Sequence, residues 1–245
     1  MDILYIVIPA YNEEANIRQV IEDWYPVVEE HSASQQSRLV IIDDGSKDNT
    51  YKIITECAAS RPLLKAVTKK NSGHGPTVLD GYRYALKHGA DYIFQTDSDG
   101  QTRPEEFAEF WSQKDMYDMV IGNRKGRQDG ASRVFVTKTL KLVLRLCFGV
   151  TVPDANTPFR LMNAETLKKY IDLIPRDFNL PNVLIPVIYT KQNCKIKYIP
   201  ITFRPRQGGT NSINMKKITK IGIHAVKDFR TINKTIPASG LHKKK

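Results

Sequence analysis

Two carboxylates stand one residue apart in the stretch QTDSDGQ, residues 95–101, where an apolar run ends. Asp97 and Asp99 offer carboxylate oxygens, and Gln101 offers an amide oxygen. A calcium loop of the D-x-[DN]-x-[DN]-G type is excluded, because here the glycine comes too early. Hard oxygen ligands suit Mg²⁺ or Mn²⁺, which complete their shells with water and substrate phosphates. The stretch therefore predicts a metal site beside a nucleotide diphosphate, although such a pair alone also occurs in solvated turns.

Apolar runs alternate with segments of helical periodicity through the first half of the chain. Continuous apolar strands separated by helices predict an α/β protein with a mostly parallel, Rossmann-like sheet and helices on both faces. Three polar motifs, at 9–13, 43–46 and 97–101, each follow a predicted strand. Ligands bind beyond the carboxyl ends of such strands, so we expect the motifs to converge on one edge. The predicted strands are 3–8, 39–42, 63–67, 92–96 and 119–122.

The formal net charge of +11 is concentrated at one end of the chain. Residues 181–245 contain 14 of the 37 Lys and Arg residues but only one of the 26 acidic ones, Asp228. This imbalance predicts a polyanionic partner, such as nucleic acid, an anionic membrane or a phosphorylated ligand, while a soluble basic tail is the plainer alternative. The basic residues alternate with aliphatic side chains, and no nucleic-acid motif is present. A nucleic-acid-binding module is therefore the remote alternative, and we expect no nucleic-acid partner.

Cysteine usage and two amphipathic segments indicate where in the cell the protein works. Three cysteines that are far apart suggest neither a disulfide framework nor a zinc site, which favours a cytoplasmic setting. Two segments, 133–148 and 215–234, combine apolar and basic stripes. Such helices either lie on a membrane surface or pack their apolar stripe on the protein's own sheet. We expect a peripheral position on the inner face of an anionic membrane, through 215–234 more than through 133–148.

The motifs VIPAYNEE, DDGSKDNT, NSGHG with DGYRYA, and DSDGQ resemble, in order and spacing, the inverting family 2 glycosyltransferases of the GT-A fold. The likeness is greatest to the polyprenyl-phosphate hexose synthases, such as the dolichyl-phosphate mannose synthases. It implies a metal-dependent hexosyltransferase that uses a nucleotide-sugar, UDP- or GDP-linked, and a polyprenyl phosphate of the dolichyl or undecaprenyl type. The alternative is transfer to a sugar hydroxyl in polysaccharide or glycolipid synthesis.

The resemblance also implies a domain organisation. It predicts one GT-A domain at 1–212, with a nucleotide-sugar half at 1–122 and an acceptor half at 123–212. A basic amphipathic segment follows at 213–245.

The resemblance assigns donor-side roles to residues at the ends of the first, second and fourth predicted strands. Without it, Tyr11 would be a ring packed at a strand end, and Asp44 a turn or helix-cap residue. The implied set is Pro9, Tyr11, Glu13 and Ser98 for the nucleotide, Ile42 and Asp44 for base and ribose, and Asp97, Asp99 and Gln101 as metal ligands.

The acceptor half contains a second implied set. If the acceptor were a sugar hydroxyl, a general base would be required, and Asp154 is the candidate. The loop after Arg124 is shorter than in the mannose synthases, and Ser212 stands where the family often has lysine, with Lys216 or Lys217 as replacements. The implied set is Arg124 and Arg206 at the diphosphate, Arg133 and Thr137 at the acceptor phosphate, and the Asp154-x5-Arg160 segment beneath the site.

Overall fold

The computed structural model describes residues 2–32, 36–124, 131–204 and 226–237, and for 131–138 only the helical backbone. Strands and helices alternate along the chain, as predicted. The strands are β1 (Leu4–Ala10), β2 (Arg38–Asp43), β3 (Leu64–Thr68), β4 (Tyr92–Gln95), β5 (Met119–Arg124), β6 (Arg160–Asn163) and β7 (Ile196–Ile201). The α-helices are α1 (Ile17–Glu30), α2 (Thr50–Ala58), α3 (His74–Lys87), α4 (Phe107–Trp111), α5 (Ala131–Phe148), α6 (Ala164–Tyr170) and α7 (Pro181–Lys191). Residues 226–235 are also helical.

The strands form one seven-stranded sheet with the order β3-β2-β1-β4-β6-β5-β7. The sheet is parallel except for β6, which runs antiparallel to both β4 and β5. The predicted mostly parallel α/β sheet is therefore confirmed. β6 and β7 were not predicted, because their sequences, RLMN and IKYIPI, lack the continuous apolar run that marks the central strands.

Side chains alternate across β1, as the period of two in a strand requires. Tyr5 and Val7 face one hydrophobic cluster, which contains buried residues of α3 and α7. Leu4, Ile6 and Ile8 face a second cluster, which contains buried residues of α1 and α4. Helices therefore cover both faces of the sheet, and every side chain of β1 is buried.

The carboxyl ends of β1, β2 and β4 lie at one edge of the sheet, because these strands are parallel. Ala10 pairs with Asp43 in register, so the loops that follow the two strands are neighbours. Direct bonds join them: the amide of Asn12 donates to Oγ of Ser46 (3.0 Å), and that of Glu13 donates to Oγ1 of Thr50 (2.8 Å). The predicted convergence is thus confirmed.

The apolar stripe of the helix at 226–235 packs on the protein itself. Phe229 is 1% exposed, and its ring lies 5.4 Å from that of Phe148 and 6.0 Å from that of Phe178. Ile232 is buried in the same cluster. The prediction that this part of the apolar stripe of 215–234 contacts a membrane is therefore wrong, because the protein's own core covers it. The rest of that segment lies outside the described residues.

No helix in the described ranges is long and apolar enough to cross a bilayer.

Helix α3 approaches the sheet closely at Gly81. A Cβ atom there would lie 2.2 Å from Cγ1 of Val7 and 3.0 Å from Cδ1 of Ile42. Both neighbours are core residues of central strands, so neither can move without disturbing the packing.

We expect Gly81→Ala to lower the free energy of unfolding by about 1–3 kcal/mol, because an inserted methyl group overpacks the core. Urea denaturation measures the loss. Lys87→Ala, at an exposed position of the same helix, serves as the control and should change it by less than about 0.5 kcal/mol. Equal stability of the two variants would contradict the close approach.

Candidate functional site

The loop before α3 is attached to β2 by Asp44, which is 3% exposed. Its carboxylate accepts hydrogen bonds from Nζ of Lys69 (2.7 Å) and from the amides of Ser72 (2.9 Å) and Gly73 (2.8 Å). Its carbonyl accepts one from the side chain of Asn71. In this structure Asp44 therefore holds a loop, and a contact with base or ribose stays a prediction.

The other donor-side candidates differ in exposure. Tyr11 is 41% exposed at the end of β1, where its ring is available to a ligand. Glu13 is buried and accepts a hydrogen bond from the side-chain amide of Asn16 (2.7 Å). Pro9 is a buried residue of β1. The side chain of Ile42 is buried in the core, so any contact with the nucleotide has to come from its main chain.

The predicted metal ligands follow β4 directly. The carboxyl group of Asp97 is 26% exposed, yet its Oδ1 is buried and has no hydrogen-bond partner within the described part of the chain. Oδ1 of Asp99 accepts from the amide of Gln101 (3.1 Å). The side-chain nitrogen of Gln101 donates to the carbonyl of Arg204 (2.9 Å), which fixes this amide beside the pair. Ser98 is buried between them.

Charged neighbours surround Asp97. Burial raises the pKa of Asp97 to about 6; Asp99 adds to the rise, while His74 and Arg124 oppose it. Nε2 of His74, the first residue of α3, lies 3.9 Å from Oδ1 of Asp97. A buried carboxylate oxygen without a donor, next to a second carboxylate, suits a cation.

The end of β5 carries a paired arginine. Nε and Nη2 of Arg124 each lie 2.8 Å from an oxygen of Asp154, in a bidentate pair. Burial alone would raise the pKa of Asp154, but the hydrogen bonds and charge of Arg124 outweigh it and lower that pKa. Both side chains are about nine-tenths buried. Asp154 is therefore a weak proton acceptor, which does not suit a general base.

Arg160 is fully buried at the start of β6. Its Nε donates to the carbonyl of Thr157 (3.1 Å), Nη1 to that of Asn182 (3.0 Å), and Nη2 to those of Ala155 (3.2 Å) and Thr157. Burial lowers the pKa of Arg160. The guanidinium thus ties the segment after Asp154 to the first turn of α7.

Several predicted residues are not covered. The side chains of Arg133 and Thr137 lie outside the described ones, although both positions belong to α5. Arg206, Ser212, Lys216 and Lys217 lie outside the described residues altogether. Their roles stay predictions.

His74 and Lys69 belong to the site edge but were assigned no role from the sequence. Both lie after β3, a strand whose carboxyl end is at the same edge as those of β1, β2 and β4. The run KKNSGHG between a strand and a helix was the available signal, since cations and a helix N-terminus there suit an anionic ligand.

The arrangement brings two carboxylates, a fixed amide and a buried arginine together at the carboxyl edge of an α/β sheet. No cluster of three or more His, Cys, Asp or Glu residues forms within the described ranges, so a cation here would need amide, water or substrate oxygens as further ligands. With the mostly parallel α/β sheet, these features are those expected of the GT-A class of glycosyltransferases.

The chain belongs to glycosyl transferase family 2, because the model of that family matches residues 5–171. The predicted family and fold are confirmed.

Two curated proteins illustrate the likeness. The chain is 28% identical over 223 residues to the polyprenol monophosphomannose synthase of Mycolicibacterium smegmatis, covering 87% of this chain and 82% of that protein. It is 29% identical over 185 residues to the undecaprenyl-phosphate 4-deoxy-4-formamido-L-arabinose transferase of Shewanella sediminis. That match covers 74% of this chain but only 54%, about half, of the relative.

The fold also matches a solved structure. The glucosyl-3-phosphoglycerate synthase of Mycobacterium tuberculosis, crystallised with Mn²⁺ and UDP-glucose, superposes with a TM-score of 0.68 at 18% identity. The match covers 98% of this chain and 81% of that one. At this identity the likeness supports the fold.

The raised pKa of Asp97 predicts how stability depends on pH. In metal-free buffer the folded state keeps the proton up to about pH 6, whereas the unfolded carboxyl loses it near pH 3.9. The free energy of unfolding should therefore fall as pH rises from about 4 to 6, by up to about 3 kcal/mol for a shift of this size and less with solvent screening.

Asp97→Asn is the matched control, because the amide does not titrate. Unfolding free energies are measured with EDTA at several pH values. From about pH 4 to pH 6 the wild type should lose stability relative to the variant. Parallel pH profiles would contradict the shift.

Proposed function

We propose that this chain is a metal-dependent inverting hexosyltransferase that moves a hexose from a nucleotide-sugar to a polyprenyl phosphate. The relatives from M. smegmatis and S. sediminis, by their names, act on polyprenyl phosphates, which supports this class of acceptor. The donor is a UDP- or GDP-hexose in this proposal.

The Arg124–Asp154 pair is the observation that favours a phosphate acceptor over a sugar hydroxyl. A sugar hydroxyl has to lose its proton to a base during attack, and the candidate Asp154 is a weak base because Arg124 occupies both of its oxygens. A phosphate monoester is already largely dianionic at pH 7, since its second pKa is about 6. It needs no base, so this pair favours a phosphate acceptor over the polysaccharide or glycolipid alternative.

A divalent cation fits the acidic pair at the end of β4. In this proposal Asp97, Asp99 and Gln101 hold Mg²⁺ or Mn²⁺, and the buried Oδ1 of Asp97 supports it because that atom accepts no hydrogen bond from the described residues. When bound, such a cation neutralises negative charge on the leaving diphosphate.

The protein's own residues then divide the remaining work. Arg124 and Arg206 add positive charge at the diphosphate, and Tyr11 offers its exposed ring to the nucleotide. Arg133 and Thr137, four residues apart in α5 and so on one face, position the acceptor phosphate. That phosphate attacks the anomeric carbon from the face opposite the diphosphate, which gives inversion.

The same proposal places the chain at the cytoplasmic surface of the membrane as a peripheral protein. A polyprenyl phosphate is confined to the bilayer by its apolar tail, whereas a nucleotide-sugar is water-soluble. The transferring site therefore has to lie at the interface between the two.

The decisive experiment is a transfer assay with a supplied polyprenyl phosphate, UDP- and GDP-hexoses, and Mg²⁺ or Mn²⁺. We expect a lipid product whose sugar is released by mild acid, as a glycosyl phosphate is. Transfer to sugar hydroxyls with no use of lipid phosphates would establish the alternative and make Asp154 the residue to re-examine.

Asp97→Ala and Asp99→Ala should each abolish transfer while leaving the fold intact, because both residues lie at a strand end rather than within the core. Activity and circular dichroism are measured together. Met116→Ala, at an exposed apolar position, is the control and should keep full activity. Near-normal transfer by either aspartate variant would disprove the metal assignment.

Arg133→Ala should weaken use of the lipid acceptor by roughly 10- to 150-fold, because a charge-assisted hydrogen bond to phosphate contributes about 1.5–3 kcal/mol. Binding of the free nucleotide, measured by calorimetry, should barely change. Arg133→Lys keeps the charge and should lose less activity. Equal losses in nucleotide and acceptor binding would place Arg133 outside the acceptor site.

A further inference from the structure

Helix α5 presents apolar side chains on two faces. Leu144 and Phe148 are buried, at 1% and 5% exposure, and face the core. Leu142 and Leu146 are 57% and 76% exposed. Because they are four residues apart, these two leucines lie one turn apart on the same outer face. A helix that covers a core needs one apolar face only, so the outer leucines indicate a further partner.

Cations flank the outer leucines. Lys141 and Arg145, each directly before a leucine, are exposed. The sequence of α5 contains four basic residues and no acidic one. Exposed leucine side chains flanked by cations are complementary to a surface that contains both hydrocarbon and negative charge.

The charge of α5 also argues against self-association. A symmetric dimer through this face would place the basic face of one α5 against the basic face of the other, with no carboxylate from α5 to offset the charge. Contact between like charges is unfavourable, whereas contact between these cations and anionic lipid headgroups is favourable.

We propose that the outer face of α5, formed by Lys141, Leu142, Arg145 and Leu146, docks on an anionic lipid bilayer. The leucines enter the headgroup boundary, and the cations contact lipid phosphates. This inference deepens the proposed function: α5 begins seven residues after Arg124, so docking keeps the end of β5 close to the surface from which a lipid phosphate would enter.

The test uses the full chain and vesicles that contain no polyprenyl phosphate, so binding is measured independently of transfer. We expect the wild type to co-sediment with phosphatidylcholine vesicles containing 30% phosphatidylglycerol, less at high salt, and only weakly with pure phosphatidylcholine. The double variant Leu142→Ser/Leu146→Ser should bind about 10- to 100-fold more weakly, because two leucines lose their transfer free energy. Both sites are exposed, so the fold should persist.

Two controls match the variants. Met116→Ser changes an exposed apolar residue elsewhere and should bind as the wild type does. Lys141→Glu/Arg145→Glu should lose binding to anionic vesicles, whereas Lys168→Glu/Lys169→Glu, an exposed pair on α6, should lose far less.

Three outcomes would overturn the proposal. They are failure of the wild type to bind anionic vesicles, equal binding by the double-serine variant, and a wild-type dimer in sedimentation that this variant dissociates. Transfer to a short, water-soluble prenyl phosphate separates the two claims: if it proceeds equally in wild type and double-serine variant, the proposed function stands whatever the vesicles show.

Discussion

The buried guanidinium of Arg160 is the constraint on which the region around Asp154 and Arg124 depends. Removing an isolated charge from water costs several kcal/mol, and here main-chain carbonyl oxygens offset that cost. Those carbonyls belong to the segment after Asp154 and to the start of α7. One side chain therefore fixes an irregular segment to the start of a helix, and Asp154 in turn fixes Arg124 at the end of β5.

Opposite charges alternate through this region, with Arg160 and Asp154 beneath and Arg124 and Asp97 towards the edge. Each buried charge has an opposite charge nearby, which offsets the free-energy cost of its burial. The loops that contain these residues therefore have few alternative arrangements. Charges held in fixed positions suit the proposed function, because they are oriented before the substrate arrives and can stabilise negative charge that develops on a leaving diphosphate.

The sequence was informative where one physical signal dominated and ambiguous where two surfaces competed. Continuous apolar runs predicted the parallel strands and the convergence of their polar ends. Periodicity alone identified the stripe of Phe229 and Ile232 but not what covers it, and the core rather than lipid does so. The partner of Asp44 lies in the loop after β3, a contact that spacing cannot reveal. Likewise, the two faces of α5 separate only once the neighbouring elements bury one of them.

The position of β6 constrains the order in which the chain folds. β5 is synthesised before β6, yet β6 lies between β4 and β5, and β7 on the far side comes later still. Strands β1, β2, β3 and β4 can pair with one another as soon as they are synthesised. Both neighbours of β5 follow it in the chain, so its edges stay unpaired until β6 and β7 are present. β7 follows β6 in the chain, so the sheet is complete only when both are present, and pairings between strands so far apart in sequence are of the kind that form slowly.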